Sequence, residues 1–111
     1  MSQSAAKKIT VIGGGLAGLT AAILLARKGF QVRLVEKKRY PFHRVCGEFI
    51  SNEVRNFLER EQLFPSEVSP PAITTFQLTS TGGKKAEMPL DLGGFGISRF
   101  YFDHFLYQKA V

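Results

Sequence analysis

The tightest constraint on this chain is the run Gly13-Gly14-Gly15-Leu16-Ala17-Gly18, which lies between a short β-branched apolar stretch and a longer amphipathic one. Gly13, Gly15 and Gly18 fit the spacing G-x-G-x-x-G, in which each glycine has its own task. The first permits a tight strand-to-helix turn. The second removes the Cβ that would keep a pyrophosphate from the backbone. The third lets the helix lie close on the strand. Residues 9–12 before the run read as a fully buried parallel strand. Residues 16–28 after it read as a helix, with Leu19, Ala22, Ile23 and Ala26 recurring at helical spacing. Gly29 stops that helix behind Arg27 and Lys28, whose charge suits the negative end of the dipole. Residues 32–35 form a second strand that ends on Glu36, eighteen residues past Gly18. Strand, glycine turn, helix, strand and terminal acid together specify an α/β fold, a Rossmann-like βαβ unit. Its helix start offers unpaired N–H groups to a diphosphate, and its acid can accept hydrogen bonds from a ribose.

Downstream, residues 40–48 (Y-P-F-H-R-V-C-G-E) read as a loop. Ser51 is an N-cap candidate for a helix to about Arg60, with Val54, Phe57 and Leu58 on one face. Pro65, Pro70 and Pro71 mark a connector. Residues 73–79 alternate as a strand, residues 81–84 (T-G-G-K) form a turn, and residues 85–90 return as its partner in a small antiparallel hairpin. Gly93, Gly94 and Gly96 read as a flexible loop. A last helix starts near Ser98 and carries Phe102, Phe105 and Leu106 at i, i+3 and i+4. Residues 1–7 are expected to be a flexible tail and residues 8–111 the front part of a nucleotide-binding domain, because a doubly wound sheet needs at least a third parallel strand.

The formal net charge is +6. Such a surface suits an anionic cofactor, a membrane surface or nucleic acid, but no basic-aromatic pattern or base-reading motif supports the last. The single cysteine excludes an internal disulfide and makes a reducing compartment the default. The apolar run of residues 16–25 is too short to span a bilayer, so a cytoplasmic location is expected. Neither histidine has a partner at metal-ligand spacing, and there is no Ser/His/Asp set or carboxylate pair, so no catalytic or metal site is assigned.

The order of motifs resembles the N-terminal FAD-binding part of flavoprotein oxidoreductases: aromatic-hydroxylase type monooxygenases, geranylgeranyl reductases and flavin-dependent halogenases. Three stretches carry the likeness: V-I-G-G-G-L-A-G-L-T-A-A-I-L-L-A-R-K-G with V-R-L-V-E, then R-V-C-G-E-F-I-S, then G-I-S-R-F-Y-F-D-H-F-L-Y-Q-K-A. The resemblance implies that the backbone of Gly13, Gly15, Leu16, Ala17 and Gly18 holds the FAD pyrophosphate. It implies Glu36 on the adenosine ribose and Lys37 beside the adenine. Arg44 and Gly47 would meet the phosphates or ribityl chain, and Arg99 would bind near the cofactor. A cysteine at the place of Cys46 lies near the flavin ring in the reductase relatives, although most free cysteines are small buried apolar residues. NAD(P)H is the implied electron donor and a small molecule the implied substrate.

One departure matters. The family completes its cofactor site with a downstream Gly-Asp segment that these 111 residues lack, along with the substrate domain. Weak or no flavin retention by this chain alone is therefore expected. Two alternatives stay open at this point. One is a fragment of an NAD-dependent dehydrogenase, for which Glu36 suits a free 2′-hydroxyl. The other is a non-catalytic truncated fold that binds a nucleotide or a partner, or self-associates through an exposed sheet edge.

Overall fold

The computed structural model describes residues 7–111, so the expected tail at residues 1–7 lies, except for Lys7, outside the described residues. The chain forms two units. One holds the chain up to Arg44 together with Arg99–Val111, and the other is Val45–Ser98.

The first unit is built on the expected βαβ crossover. Strand β1 (Lys8–Ile12) and strand β2 (Gln31–Val35) pair in parallel, from Lys8 opposite Gln31 to Ile12 opposite Val35. Helix α1 (Leu16–Arg27) connects them and ends at Gly29, whose φ of 95° is the left-handed conformation a helix stop uses. Leu19, Ala22 and Ile23 are buried, whereas Ala26, expected on the same stripe, is exposed where the helix runs out. The unit closes with helix α3 (Arg99–Ala110), which packs on α1 and buries Phe102 and Leu106. The two strands are not fully buried as their composition suggests. Both alternate between exposed and half-buried residues, and Ile12 is 85% exposed. Buried parallel strands need helices on both faces. Here α1 lies against this two-stranded sheet, and no second crossover helix is present among the described residues.

The second unit contains the expected hairpin, extended into a three-stranded antiparallel sheet. Strands β4 (Ala72–Thr79) and β5 (Lys85–Gly96) are joined by a turn in which Ser80 N–H donates to Lys84 O and Gly83 N–H to Ser80 O. A three-residue strand, β3 (Phe49–Ser51), pairs with the far end of β5, giving the order β3-β5-β4. Gly94 and Gly96 are therefore strand residues rather than loop. A Cβ on Gly94 would lie 2.5 Å from both Ile50 O and the Phe49 ring, so glycine there permits close approach of β3. Gly93, at φ 70°, lies where β5 bulges between its pairings with Ile73 and Thr75. Ser51 caps a single 3-10 turn (Asn52–Val54), its hydroxyl accepting from Glu53 N–H, and helix α2 (Arg55–Arg60) follows. Leu58 of α2 joins Leu63, Phe95 and Ile97 in an apolar core, while Val54, expected beside it, is exposed.

Candidate nucleotide-binding site

The glycine turn in the first unit has the geometry its spacing demands. Gly13 sits at φ 103°, and its N–H donates to Val35 O over 2.8 Å, tying the turn to the end of β2. A Cβ on Gly18 would run into Gly13's carbonyl oxygen and come within 3.4 Å of Val11, so α1 lies on β1 only because Gly18 has no side chain. Gly14 is filled in the same sense, since a Cβ there would meet the Tyr40 hydroxyl and the side chains of Glu36 and Leu34. A Cβ on Gly15 would lie 3.3 Å from Arg99 Nη2 and 3.7 Å from Arg44 Cζ, so two guanidinium groups border this part of the backbone.

Helix α1 begins at Leu16 and Ala17 with no side-chain cap and no acid in its first turn. Its leading amides thus keep the partial positive charge that an N-terminus presents. Gly15, the residue that caps this helix start, lines a cleft of about 510 Å³ together with Ile12, Gly13, Val35, Glu36, Lys37, Lys38 and Arg44.

Glu36 follows β2 into this cleft. Its Oε1 accepts from Gly14 N–H at 2.9 Å and Arg44 Nη2 at 3.0 Å, and its Oε2 accepts from Lys38 N–H at 3.0 Å. The Lys38 amide, then the Gly14 amide, and more weakly the Arg44 charge hold its carboxyl below the usual value of 4.5. A carboxylate has about four acceptor sites. Three are used here, which leaves room for one ligand hydroxyl.

Two residues the sequence reading did not single out complete the arrangement. Tyr40 donates to Gly14 O at 2.6 Å and stacks on Tyr107 at 4.3 Å. Burial, then the negative charges of Glu36 and Asp103, push its phenol above the ordinary value, so it remains a donor at neutral pH. Asp103 is buried on α3 and binds both Arg44 and Arg99. The Arg99–Asp103 spacing of i,i+4 is legible in the sequence as a helical ion pair. The link from Asp103 to Arg44 is not.

The structure brings Gly13, Gly15, Leu16, Ala17, Gly18, Glu36, Lys37, Arg44 and Arg99 into one unit. Cys46 and Gly47 belong to the other, where the Cys46 thiol accepts from Glu48 N–H at 3.4 Å and Gly47 borders open space. His43 stacks on Phe100 at 4.5 Å, and no cluster of metal ligands occurs among the described residues. Nor is any described helix long and apolar enough to cross a membrane. The cleft offers amides, cations and one acceptor, which is equipment for holding an anion and a sugar.

Known proteins agree with this geometry. Residues 11–63 match the family model of the NAD(P)-binding Rossmann-like domain. Over 59 residues the chain is 46% identical to a tryptophan 2-halogenase of Chondromyces crocatus, covering 53% of this chain and 11% of that protein. Over 102 residues it is 32% identical to a flavin-dependent halogenase of Pestalotiopsis fici, covering 88% of this chain and 19% of the relative. Among solved structures it resembles the flavin-dependent halogenase CmlS, with a TM-score of 0.73 at 21% identity, over 97% of this chain and 21% of that one. It also resembles 2-methyl-3-hydroxypyridine-5-carboxylic acid oxygenase, with a TM-score of 0.71 at 25% identity, over 96% of this chain and 29% of that one. The chain thus spans a fifth or less of the length of these curated relatives. The likeness to flavin-dependent halogenases and monooxygenases that the motifs imply is borne out, as is the Rossmann-like α/β fold.

Proposed function

We propose that this chain is the FAD-binding N-terminal portion of a flavin-dependent oxidoreductase of the halogenase and monooxygenase type. The observation that carries this reading is the convergence on one cleft of an uncapped helix start, a glycine turn at φ 103° and a strand-end carboxylate with acceptor capacity to spare. The relatives' flavin dependence supports FAD as the dinucleotide.

In this reading the amides of Gly13, Gly15, Leu16, Ala17 and Gly18 hold the pyrophosphate. Glu36 accepts a ribose hydroxyl, Lys37 lies beside the adenine, and Arg44 and Arg99 supply charge-assisted donors to the phosphates. For Cys46 and Gly47 the proposed cofactor contact rests on the sequence resemblance alone. When bound, the flavin supplies electron transfer between a nicotinamide donor and a small-molecule substrate or dioxygen. This chain's own residues bind and orient; none of them is a general acid or base for that chemistry. These 111 residues on their own hold FAD weakly or not at all, and the parent enzyme works in the cytoplasm.

The match to an NAD(P)-binding family model favours a second reading, an NAD-dependent dehydrogenase. Titrating the parent protein with FAD and with NADH, and following flavin and nicotinamide fluorescence, separates the two. Tight FAD binding that Glu36→Ala weakens by about tenfold supports the proposal. Saturable NADH binding without FAD binding overturns it.

A further inference from the structure

We infer that Asp103 is a positioning residue for dinucleotide binding: one buried carboxylate fixes the guanidinium groups of Arg44 and Arg99 beside the glycine turn, an inference that rests on the dinucleotide reading above. Asp103 is 1% exposed, and both of its oxygens are engaged. Its Oδ2 accepts from Arg44 Nε at 2.9 Å and from Arg99 Nη2 at 3.1 Å, and its Oδ1 accepts from Arg99 Nε at 2.6 Å. Arg44 continues the path through Nη2 to Glu36 Oε1, which also accepts from Gly14 N–H. A single run of hydrogen bonds therefore leads from the buried face of α3 through Arg44 to the end of β2 and into the turn.

Two features make this positioning rather than simple charge balance. Arg44 stands on a loop, outside any helix or strand. A long side chain in such a place presents its fork to an anion only if its plane is fixed by a partner. The two cations also border the same glycine, Gly15, at 3.3 Å and 3.7 Å from where a Cβ would stand. Like charges held that close repel unless an anion is placed between them, and Asp103 contacts both.

The two roles predict opposite signs. If Asp103 merely offset positive charge, removing its charge would tighten the binding of a diphosphate. If it positions the arginines, removal loosens that binding. The test is the Asp103→Asn variant of the parent protein, with dissociation constants for FAD and for riboflavin, which has no diphosphate, measured by fluorescence. The expected result is FAD affinity weakened on the order of tenfold to hundredfold, with riboflavin unchanged. In an Arg44→Gln background the same substitution should add little, because the two act through one path.

A folded Asp103→Asn protein that binds FAD as tightly as wild type, or more tightly, overturns the inference. If that variant fails to fold, Asp103→Glu carries the test. It keeps the charge on a longer arm and should fold yet bind FAD more weakly, and unchanged affinity overturns the inference equally. A wild-type parent that binds no dinucleotide overturns the proposed function itself, whereas wild-type FAD binding with an indifferent Asp103→Asn sinks only the positioning role.

Discussion

The two units of this chain solve the problem of an interior in opposite ways. Val45–Ser98 closes over an apolar cluster in which Phe95 is fully buried, Phe64 meets it edge to face at 5.1 Å, and Leu58 and Leu63 fill in beside them. The unit containing the glycine turn also buries leucine and phenylalanine, but it places an aspartate among them and ties it to two arginines, one of which also binds Glu36. Replacing such a network by well-packed apolar residues is often neutral or stabilising. Its presence at the turn is therefore explained better by what it presents to a ligand than by what it adds to folding. The apolar unit buries no charged residue among the described residues: those it buries are hydrophobic, proline or glycine.

The sharpest way to break this contrast is Phe95→Ala. Removing a fully buried ring should cost about 4 kcal/mol. Calorimetry and amide exchange should register the loss in Val45–Ser98 to the same extent at pH 5 and pH 8, since no titrating group is involved. A strongly pH-dependent loss would mean that the apolar unit hides an ionic component.

Gly13→Ala should have a smaller effect, about 1–2 kcal/mol, which is the penalty of a Cβ in the left-handed region. No atom lies within 4 Å of that Cβ, so backbone conformation accounts for the whole loss. Thermal melting measures it, and no loss at all would mean that the turn relaxes to another shape.

The smallest effect should come from acid. The Glu36 carboxyl is held below 4.5 in the fold, so its stabilisation is complete above that value and is lost as pH falls through the lower folded value. Amide exchange around residues 13–18 should therefore accelerate in that window before exchange in Val45–Ser98 does, and Glu36→Gln should remove the difference. Simultaneous acceleration in both units would erase the electrostatic distinction between them.

How much of this was legible in the sequence follows from the range over which each feature is encoded. The βαβ unit is local: glycines, helical spacing and a terminal acid lie within thirty residues, and all of them appear where the pattern puts them. The hairpin is equally local, because its turn residues sit between two alternating runs. Strand β3 escapes because three residues are too few to show a period. Gly94 and Gly96 mislead for a related reason. Glycine usually signals a loop, and only the partner strand reveals that both pair with β3 and that the missing Cβ of Gly94 makes room for Phe49 and Ile50. The parallel strands look buried because their residues are those of a two-faced sheet, whose strands here alternate between exposed and half-buried positions among the described residues. Asp103 was invisible as a site residue because its partner Arg44 is 59 positions away, and ion pairs of that separation leave no periodic trace.

Tyr40 joins the glycine turn and helix α3 through one phenol, donating to Gly14 and stacking on Tyr107. The chain contains three tyrosines and no tryptophan, so one of its three tyrosine emitters bonds the turn and a second stacks on the first. Its intrinsic ultraviolet emission is consequently a built-in gauge of that corner: any occupant that shifts the Gly14 carbonyl alters the Tyr40 hydroxyl bond and the ring pair at once, without an added label.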